Sequence, residues 1–207
     1  MKGFCGTLAK PMFVLAPMAD VTDVAFRRII AKYSKSPLAP RSLGGVGYVT
    51  YTEFVSADGL ALAPEEGRRK LMRDLVFSEA ERPIIAQFFT AVPAHMEKAA
   101  KLAQELGFDG VDINMGCPAD AVVRQGAGAE LIKHPELTQE LIAAAKQGAG
   151  SLPVSVKTRL GYNTDTLDGW LPALLKAEPA VVTVHARTRK EMSAVPARWE
   201  RVGRAVE

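Results

Sequence analysis

The chain has almost no cysteine. Of its 207 residues only Cys5 and Cys117 carry a thiol, too few for a disulfide framework and in keeping with a reducing cytoplasm. No apolar run approaches the roughly 18 residues that span a bilayer, so no membrane segment is expected. Lys2 precedes an apolar stretch, but Lys10 and Pro11 interrupt it and no small-residue cleavage site follows, which argues against a signal peptide. Metal ligands are sparse as well. His95 and His134 fall on helical or loop segments away from Cys117, so no metal site is expected. Neither a G-x-S-x-G elbow nor a P-loop is present. Gly126-Ala127-Gly128-Ala129 lacks the preceding strand and the spacing of a dinucleotide fingerprint. A net charge of +3 is too small to imply a nucleic-acid partner by itself. What remains is a chain with 48% hydrophobic residues, enough for one domain with a sizeable core, or for two.

Six apolar, β-branched stretches recur: Phe13–Met18, Tyr48–Phe54, Pro83–Phe89, Gly110–Gly116, Pro153–Arg159 and Ala180–Arg187. Helical periodicity lies between them, in Val24–Tyr33, Pro93–Leu106, Pro135–Ala145 and Leu167–Ala177. Alternating strands and helices imply βα units and a parallel sheet, either open and doubly wound or closed as a (β/α)8 barrel. An open sheet gathers its site at one switch point, whereas a barrel draws site residues from many strands. Here almost every strand closes on a chemical group: Pro17-Met18, Glu53, Gln87, Asn114 with Cys117, Lys157 with Arg159, His185 with Arg187. The distribution favours the TIM-barrel type. Only six units are present where a barrel needs eight and about 250 residues, so residues 1–207 are expected to be the N-terminal three-quarters of one. Ser36 to Tyr48, rich in proline and glycine, reads as a loop insertion.

The centre of the sequence is Gly110-Val111-Asp112-Ile113-Asn114-Met115-Gly116-Cys117-Pro118. A buried strand that stops on an amide and a thiol, with a proline to block further pairing, places both at its C-terminal end, where α/β folds bind ligands. The plain alternative is that Cys117 is a small buried hydrophobe. Gln87 interrupts Ile84-Ile85-Ala86-Gln87-Phe88-Phe89, and a buried amide suits a planar heterocycle with alternating donors and acceptors. Lys157 breaks Val154-Ser155-Val156 in the same way, and with Arg159 it offers two cations to an anion or an electron-rich ring. His185 at a strand end reads as a ligand contact rather than a core histidine. Two basic clusters, one around Arg68 to Arg73 and one from Arg187 to Arg204, would suit a polyanion if they flanked a pocket; a solvated basic face is the alternative for each.

Ala16-Pro17-Met18-Ala-Asp, Thr52-Glu53, Gln87, Asp112-Ile-Asn-Met-Gly-Cys-Pro118, Gly126-Ala-Gly-Ala129, Val156-Lys-Thr-Arg159 and Val184-His-Ala-Arg-Thr-Arg189 together resemble the tRNA-dihydrouridine synthases, in order and over nearly the whole chain. The resemblance implies an FMN-binding TIM barrel followed by a helical tRNA-binding domain. It implies that a uridine in tRNA is reduced to 5,6-dihydrouridine, with NADPH recharging the flavin. Ala16, Pro17, Met18, Gln87, Lys157 and His185 would then hold FMN. Reduced FMN would deliver hydride to C6 of the uracil, and Cys117 would give a proton to C5; an ordinary thiol is protonated at neutral pH, as an acid must be. Asn114 would hold the flipped uracil, with Arg159 and Arg187 on the nucleotide or its phosphate. Two positions depart from the family pattern: Asp20 where glycine is frequent, and Lys190-Glu-Met-Ser-Ala after the Arg-Thr-Arg. The last barrel strands and the helical domain would be absent. Alternatives are another FMN barrel acting on a small substrate, of dihydroorotate or enoate type, and an inactive RNA-binding remnant.

Overall fold

The computed structural model describes residues 13–34 and 48–207. The expected loop insertion therefore lies outside the described residues except for Tyr48, which opens a strand. Six strands, β1 (Phe13–Leu15), β2 (Tyr48–Ser56), β3 (Ile84–Phe89), β4 (Gly110–Met115), β5 (Val154–Arg159) and β6 (Val181–His185), form one sheet. Every neighbouring pair is parallel, and the order across the sheet is the order along the chain. A doubly wound sheet must reverse direction at its switch point. No reversal occurs among these strands, so right-handed crossovers keep every connection on one side. The sheet is thus a curled barrel wall of six βα units.

The crossovers carry α1 (Val24–Ser34), α2 (Ala57–Leu62), α3 (Glu65–Asp74), α4 (Pro93–Glu105), α5 (Asp120–Val123), α6 (Pro135–Ala149) and α7 (Leu167–Leu175); α8 (Trp199–Val206) follows β6. Alternation along the strands sorts their side chains to two faces. Ile84, Ala86 and Phe88 of β3, Val111, Ile113 and Met115 of β4, and Val154 and Val156 of β5 face outward. There they join Met96, Ala99, Ala100 and Ala103 of α4 and Leu141, Ile142 and Ala145 of α6 in one core. The opposite face carries Gln87, Asp112, Asn114, Ser155, Lys157 and Arg159. The wall is apolar toward its helices and polar toward the barrel axis.

Four expected strands end elsewhere: β2 runs past Phe54 to Ser56, β4 stops at Met115 rather than Gly116, and β1 and β6 are shorter. β1 stops at Leu15 rather than Met18, and Met18 enters a turn in which its N–H donates to Thr22 Oγ1 (3.0 Å) and its carbonyl accepts the Thr22 N–H (2.9 Å). β6 stops at His185, before a bend into Arg187. Asp23 caps α1, its carboxylate accepting the Phe26 N–H at 2.7 Å. Arg27 in that helix is fully buried. It pairs with buried Glu81 at 2.9 Å and donates to the carbonyls of Thr22 and Val76, each at 2.7 Å. The guanidinium thereby ties α1 to the segment leading into β3.

α4 and α6 pack closely enough that one position admits only glycine: a Cβ at Gly148 would overlap the backbone carbonyl of Glu97. Helix propensity favours alanine by about 1 kcal/mol, but overpacking costs about 1–3 kcal/mol. Gly148→Ala is therefore expected to lower Tm by several degrees in a circular-dichroism melt; an unchanged Tm would show that the two helices separate freely.

Candidate active site

Strand register assembles the site. Gln87 lies opposite Asp112, Asp112 opposite Ser155, Asn114 opposite Lys157, and Arg159 opposite His185. Asp112 has no exposed surface. Its two oxygens accept from Ser155 Oγ at 2.5 Å and Gln87 Nε2 at 2.6 Å. A carboxylate only accepts, so it fixes the Gln87 amide with nitrogen toward Asp112 and oxygen away. That oxygen accepts from Asn114 Nδ2 at 3.1 Å. Asn114 Oδ1 in turn accepts the backbone N–H groups of Gly116 (3.1 Å) and Cys117 (2.9 Å). One directed chain of hydrogen bonds thus runs from a buried charge to the backbone of the only thiol among the described residues.

The Cys117 loop is held from two further sides. Its carbonyl accepts the Ala129 N–H at 3.0 Å. Gly128, at φ +61°, sits where a Cβ would come within 2.8 Å of that carbonyl. The Gly126–Ala129 run is therefore a buttress for the thiol loop, which explains why it lacks the features of a phosphate cradle. From the other side, the buried Arg159 donates through Nε to the Gly116 carbonyl (2.7 Å) and through one terminal nitrogen to those of Thr188 (3.1 Å) and Met192 (3.0 Å). The loops after β4 and β6 share one guanidinium.

Lys157 projects toward the barrel axis, and among the described residues its ammonium has no hydrogen-bond or ion-pair partner. Burial lowers its pKa, while the charge of Asp112 acts the other way. Arg187 donates through Nε to the Val195 carbonyl (2.6 Å), and its terminal nitrogen lies 2.9 Å from His185 Nε2. A guanidinium cannot accept, so Nε2 is the acceptor, the imidazole is neutral and its proton is on Nδ1. Burial, then the charges of Arg159, Lys157 and Arg187, push the His185 pKa down to about 4. Burial raises the Asp112 pKa to about 6 despite the bonds from Ser155 and Gln87 and the charge of Lys157.

The structure brings Gln87, Asn114, Cys117, Lys157, Arg159, His185 and Arg187 to the C-terminal ends of β3 to β6. Ala16, Pro17 and Met18 follow the end of β1, at the other edge of the wall. Gln87 is fully buried beneath Asn114, with its carbonyl oxygen and one N–H engaged inside the network. Asp112 and Ser155 are site residues that reading the sequence overlooked; the signal was a carboxylate between Val111 and Ile113 in a strand otherwise apolar on one face. Glu53 also gains a partner, accepting the Asp20 N–H at 2.5 Å, and Asp20 has φ +59°. The left-handed backbone accounts for glycine being frequent there in the pattern the sequence resembles, and aspartate is among the residues that tolerate it. Much of the basic cluster after β6 is paired within the chain, Arg198 with Glu191 and Arg201 with Asp165 and Asp168, whereas Arg189 meets only the exposed Asp120. Among the described residues no cluster of three or more His, Cys, Asp or Glu could hold a metal, and no helix is long and apolar enough to cross a membrane.

The two shifted groups oppose each other in acid. Asp112 binds its proton more tightly folded than unfolded, so its contribution to stability falls as pH rises from about 4 to 6. His185 resists protonation in the fold, so its contribution is present above about 6.5 and is lost as pH falls toward 4. His185→Gln should therefore reduce the loss of stability between pH 6.5 and 4.5 by about 1–2 kcal/mol relative to the parent chain. Denaturant melts at both pH values, without added flavin, measure it; equal losses in the two proteins would contradict the assignment.

The sequence profile described as dihydrouridine synthase (Dus) matches residues 14–206. A probable tRNA-dihydrouridine synthase 2 of Bacillus subtilis strain 168 is 42% identical over 200 residues, covering 96% of this chain and 57% of that protein. A probable tRNA-dihydrouridine synthase of Staphylococcus epidermidis is 38% identical with the same coverage. The chain spans little more than half the length of these curated relatives. Among solved structures, one described as a variant of NCR from Zymomonas mobilis aligns over 85% of this chain and 64% of that one, at 18% identity and a TM-score of 0.46. On the profile match and the relatives' identity, the chain belongs to the dihydrouridine synthase family.

Proposed function

We propose that this chain is the N-terminal three-quarters of an FMN-binding barrel that, in the cytoplasm, reduces a uridine of tRNA to 5,6-dihydrouridine, with NADPH as the reductant. The observation that carries the reading is the directed chain Asp112–Gln87–Asn114, which fixes the Cys117 backbone near Lys157, whose ammonium has no partner among the described residues. The polar face of β3 to β6 fits a flavin. Lys157 offers an unshared positive charge on the barrel-axis side, and neutral His185 keeps an N–H on Nδ1, so both can face an electron-rich ring that becomes anionic on reduction. Lys157 and His185 would hold the ring, with Gln87 at the base of its site and the Ala16-Pro17-Met18 backbone at its flank.

When bound, FMN supplies the hydride that reaches C6 of the uracil. The protein does the rest. Asn114 holds the thiol turn by accepting the Gly116 and Cys117 N–H groups, and this residue, 7% exposed, lies where the pyrimidine would rest. Cys117 Sγ, half-buried in its turn, gives its proton to C5. Phe54 and Phe89, which meet edge to face with ring centroids 5.3 Å apart, pack with Val122, Ala127 and Cys117 and exclude water from one side of the thiol. Arg159 and Arg187 border the β6 side, where the nucleotide and its phosphate would approach.

In the purified chain with added FMN, flavin absorbance should co-elute with protein in gel filtration. Lys157→Met should weaken that retention about tenfold or more, as expected for loss of a buried charge-assisted contact. Cys117→Ala should retain flavin and lower dihydrouridine formation on unmodified tRNA by about 10²–10⁴. Undiminished turnover by Cys117→Ala would remove the thiol from the reaction, and turnover of a free small substrate without tRNA would favour another flavin barrel.

A further inference from the structure

A cavity of about 500 Å³ opens between the end of the 3-10 turn Gly128–Lys133, the start of α6 and the loop joining β5 to α7. Tyr162 and Trp170 form its aromatic walls, and Lys133, Asn163, Thr164 and Thr166 supply a cation, an amide and two hydroxyls. We propose that this cavity is a second nucleotide subsite, taking an unpaired base that neighbours the reduced uridine in the same RNA, with that nucleotide's phosphate on Lys133 and Arg189. The inference rests on the reading of the chain as an enzyme of tRNA.

The chemistry is that of single-strand recognition, in which bases meet aromatic rings and cations meet the backbone. Lys133 Nζ lies 4.3 Å from the Tyr162 ring centroid and Arg189 Cζ 5.2 Å from it. The Glu130 carboxylate binds both the Lys133 ammonium and the Tyr162 hydroxyl, which sets the ring's place. Trp170 is 3% exposed and donates from Nε1 to Thr158 Oγ1 at 3.0 Å, so the other wall is fixed to the outward face of β5.

Arg189 supplies an independent sign of a missing partner. Its Nε is buried and unbonded among the described residues, and its Nη2 reaches only Asp120, a carboxylate 78% exposed to solvent, at 3.1 Å. An ion pair of that kind contributes little, so a phosphate can replace Asp120 at Nη2 and, once the side chain turns toward it, offer Nε the acceptor it lacks.

The cavity is also rigidly coupled to the thiol. Ala129, bonded to the Cys117 carbonyl, lies in the 3-10 turn Gly128–Lys133. Arg189 and Lys190 donate their backbone N–H groups to the carbonyls of Gly161 and Tyr162, each at 2.9 Å. The stretch that departs from the family pattern after Arg189 thus lies against this cavity, where it would influence which neighbouring nucleotide is accepted.

The test uses the whole chain with Trp199→Phe, which removes an exposed indole and leaves Trp170 as the only tryptophan. A mixed-sequence single-stranded RNA octamer should quench Trp170 fluorescence saturably. Tyr162→Ala should weaken binding about tenfold or more, Tyr162→Phe should stay within about threefold of the parent, and Lys133→Gln should flatten the slope of log K against log salt by about 0.7. Lys133 is 46% exposed, so its variant keeps the test alive if Tyr162→Ala fails to fold. No quenching at millimolar RNA, or equal affinity and salt slope in Lys133→Gln and the parent, would overturn the subsite. Flavin retention in the same samples separates the two ideas: a chain that keeps FMN but leaves Trp170 unquenched loses only the subsite, whereas tyrosine-dependent quenching without flavin retention keeps the subsite and sinks the flavin reading.

Discussion

A carboxylate removed from water must be surrounded by donors, and the interior of this wall is arranged around that demand at Asp112. Ser155 and Gln87 reach it from the strands on either side, each from the position the parallel register sets opposite it. The charge orients the amide of Gln87, the amide orients Asn114, and Asn114 orients the turn that presents Cys117. An amide can present either end to a neighbour, and in a neutral core its direction would be weakly specified. An acceptor-only group at one end removes that ambiguity for every member of the chain.

Where Asp112 organises the strands, Arg159 organises the loops. Its carbonyl partners come from two segments far apart in sequence, so the loop carrying the thiol and the loop after His185 keep a fixed relation. Glu191 reinforces the second loop, accepting the Thr188 N–H at 2.7 Å and pairing with Arg198. A cation committed to loop carbonyls and another left without a partner have different uses. Arg159 builds the mouth of the site, and Lys157, two residues earlier on the same strand face, is available to what enters it.

Much of the fold could be read from the sequence because the outward face of β3 to β5 is apolar and the polar residues that interrupt each run fall on the opposite face. Gln87 and Lys157 stood out as polar residues in apolar runs, and the structure places both toward the barrel axis. α3 was harder to recognise, since Glu65–Asp74 buries no residue and its arginines and lysine read as a charge cluster. α8 likewise buries no residue, and its stretch was read for its arginines. The partners of Arg201 are the acids Asp165 and Asp168, more than thirty positions earlier, so the basic run after β6 looked like a polyanion surface when much of it is internally paired. Asp112 was passed over for a related reason: what gives it meaning lies on two other strands, and only register reveals them.

The network beneath Cys117 also determines where protons cannot travel. Gln87 and Asn114 hold their protons on nitrogen and have no readily exchanged one to hand on, so the path from Asp112 to the thiol loop orients groups without conducting charge. A thiol that has given up its proton must then recover one from the solvent side of its turn, past Pro118 and the exposed Ala119 and Asp120. The buried acid, although its pKa of about 6 lies near neutrality, is insulated from the thiol turn it positions.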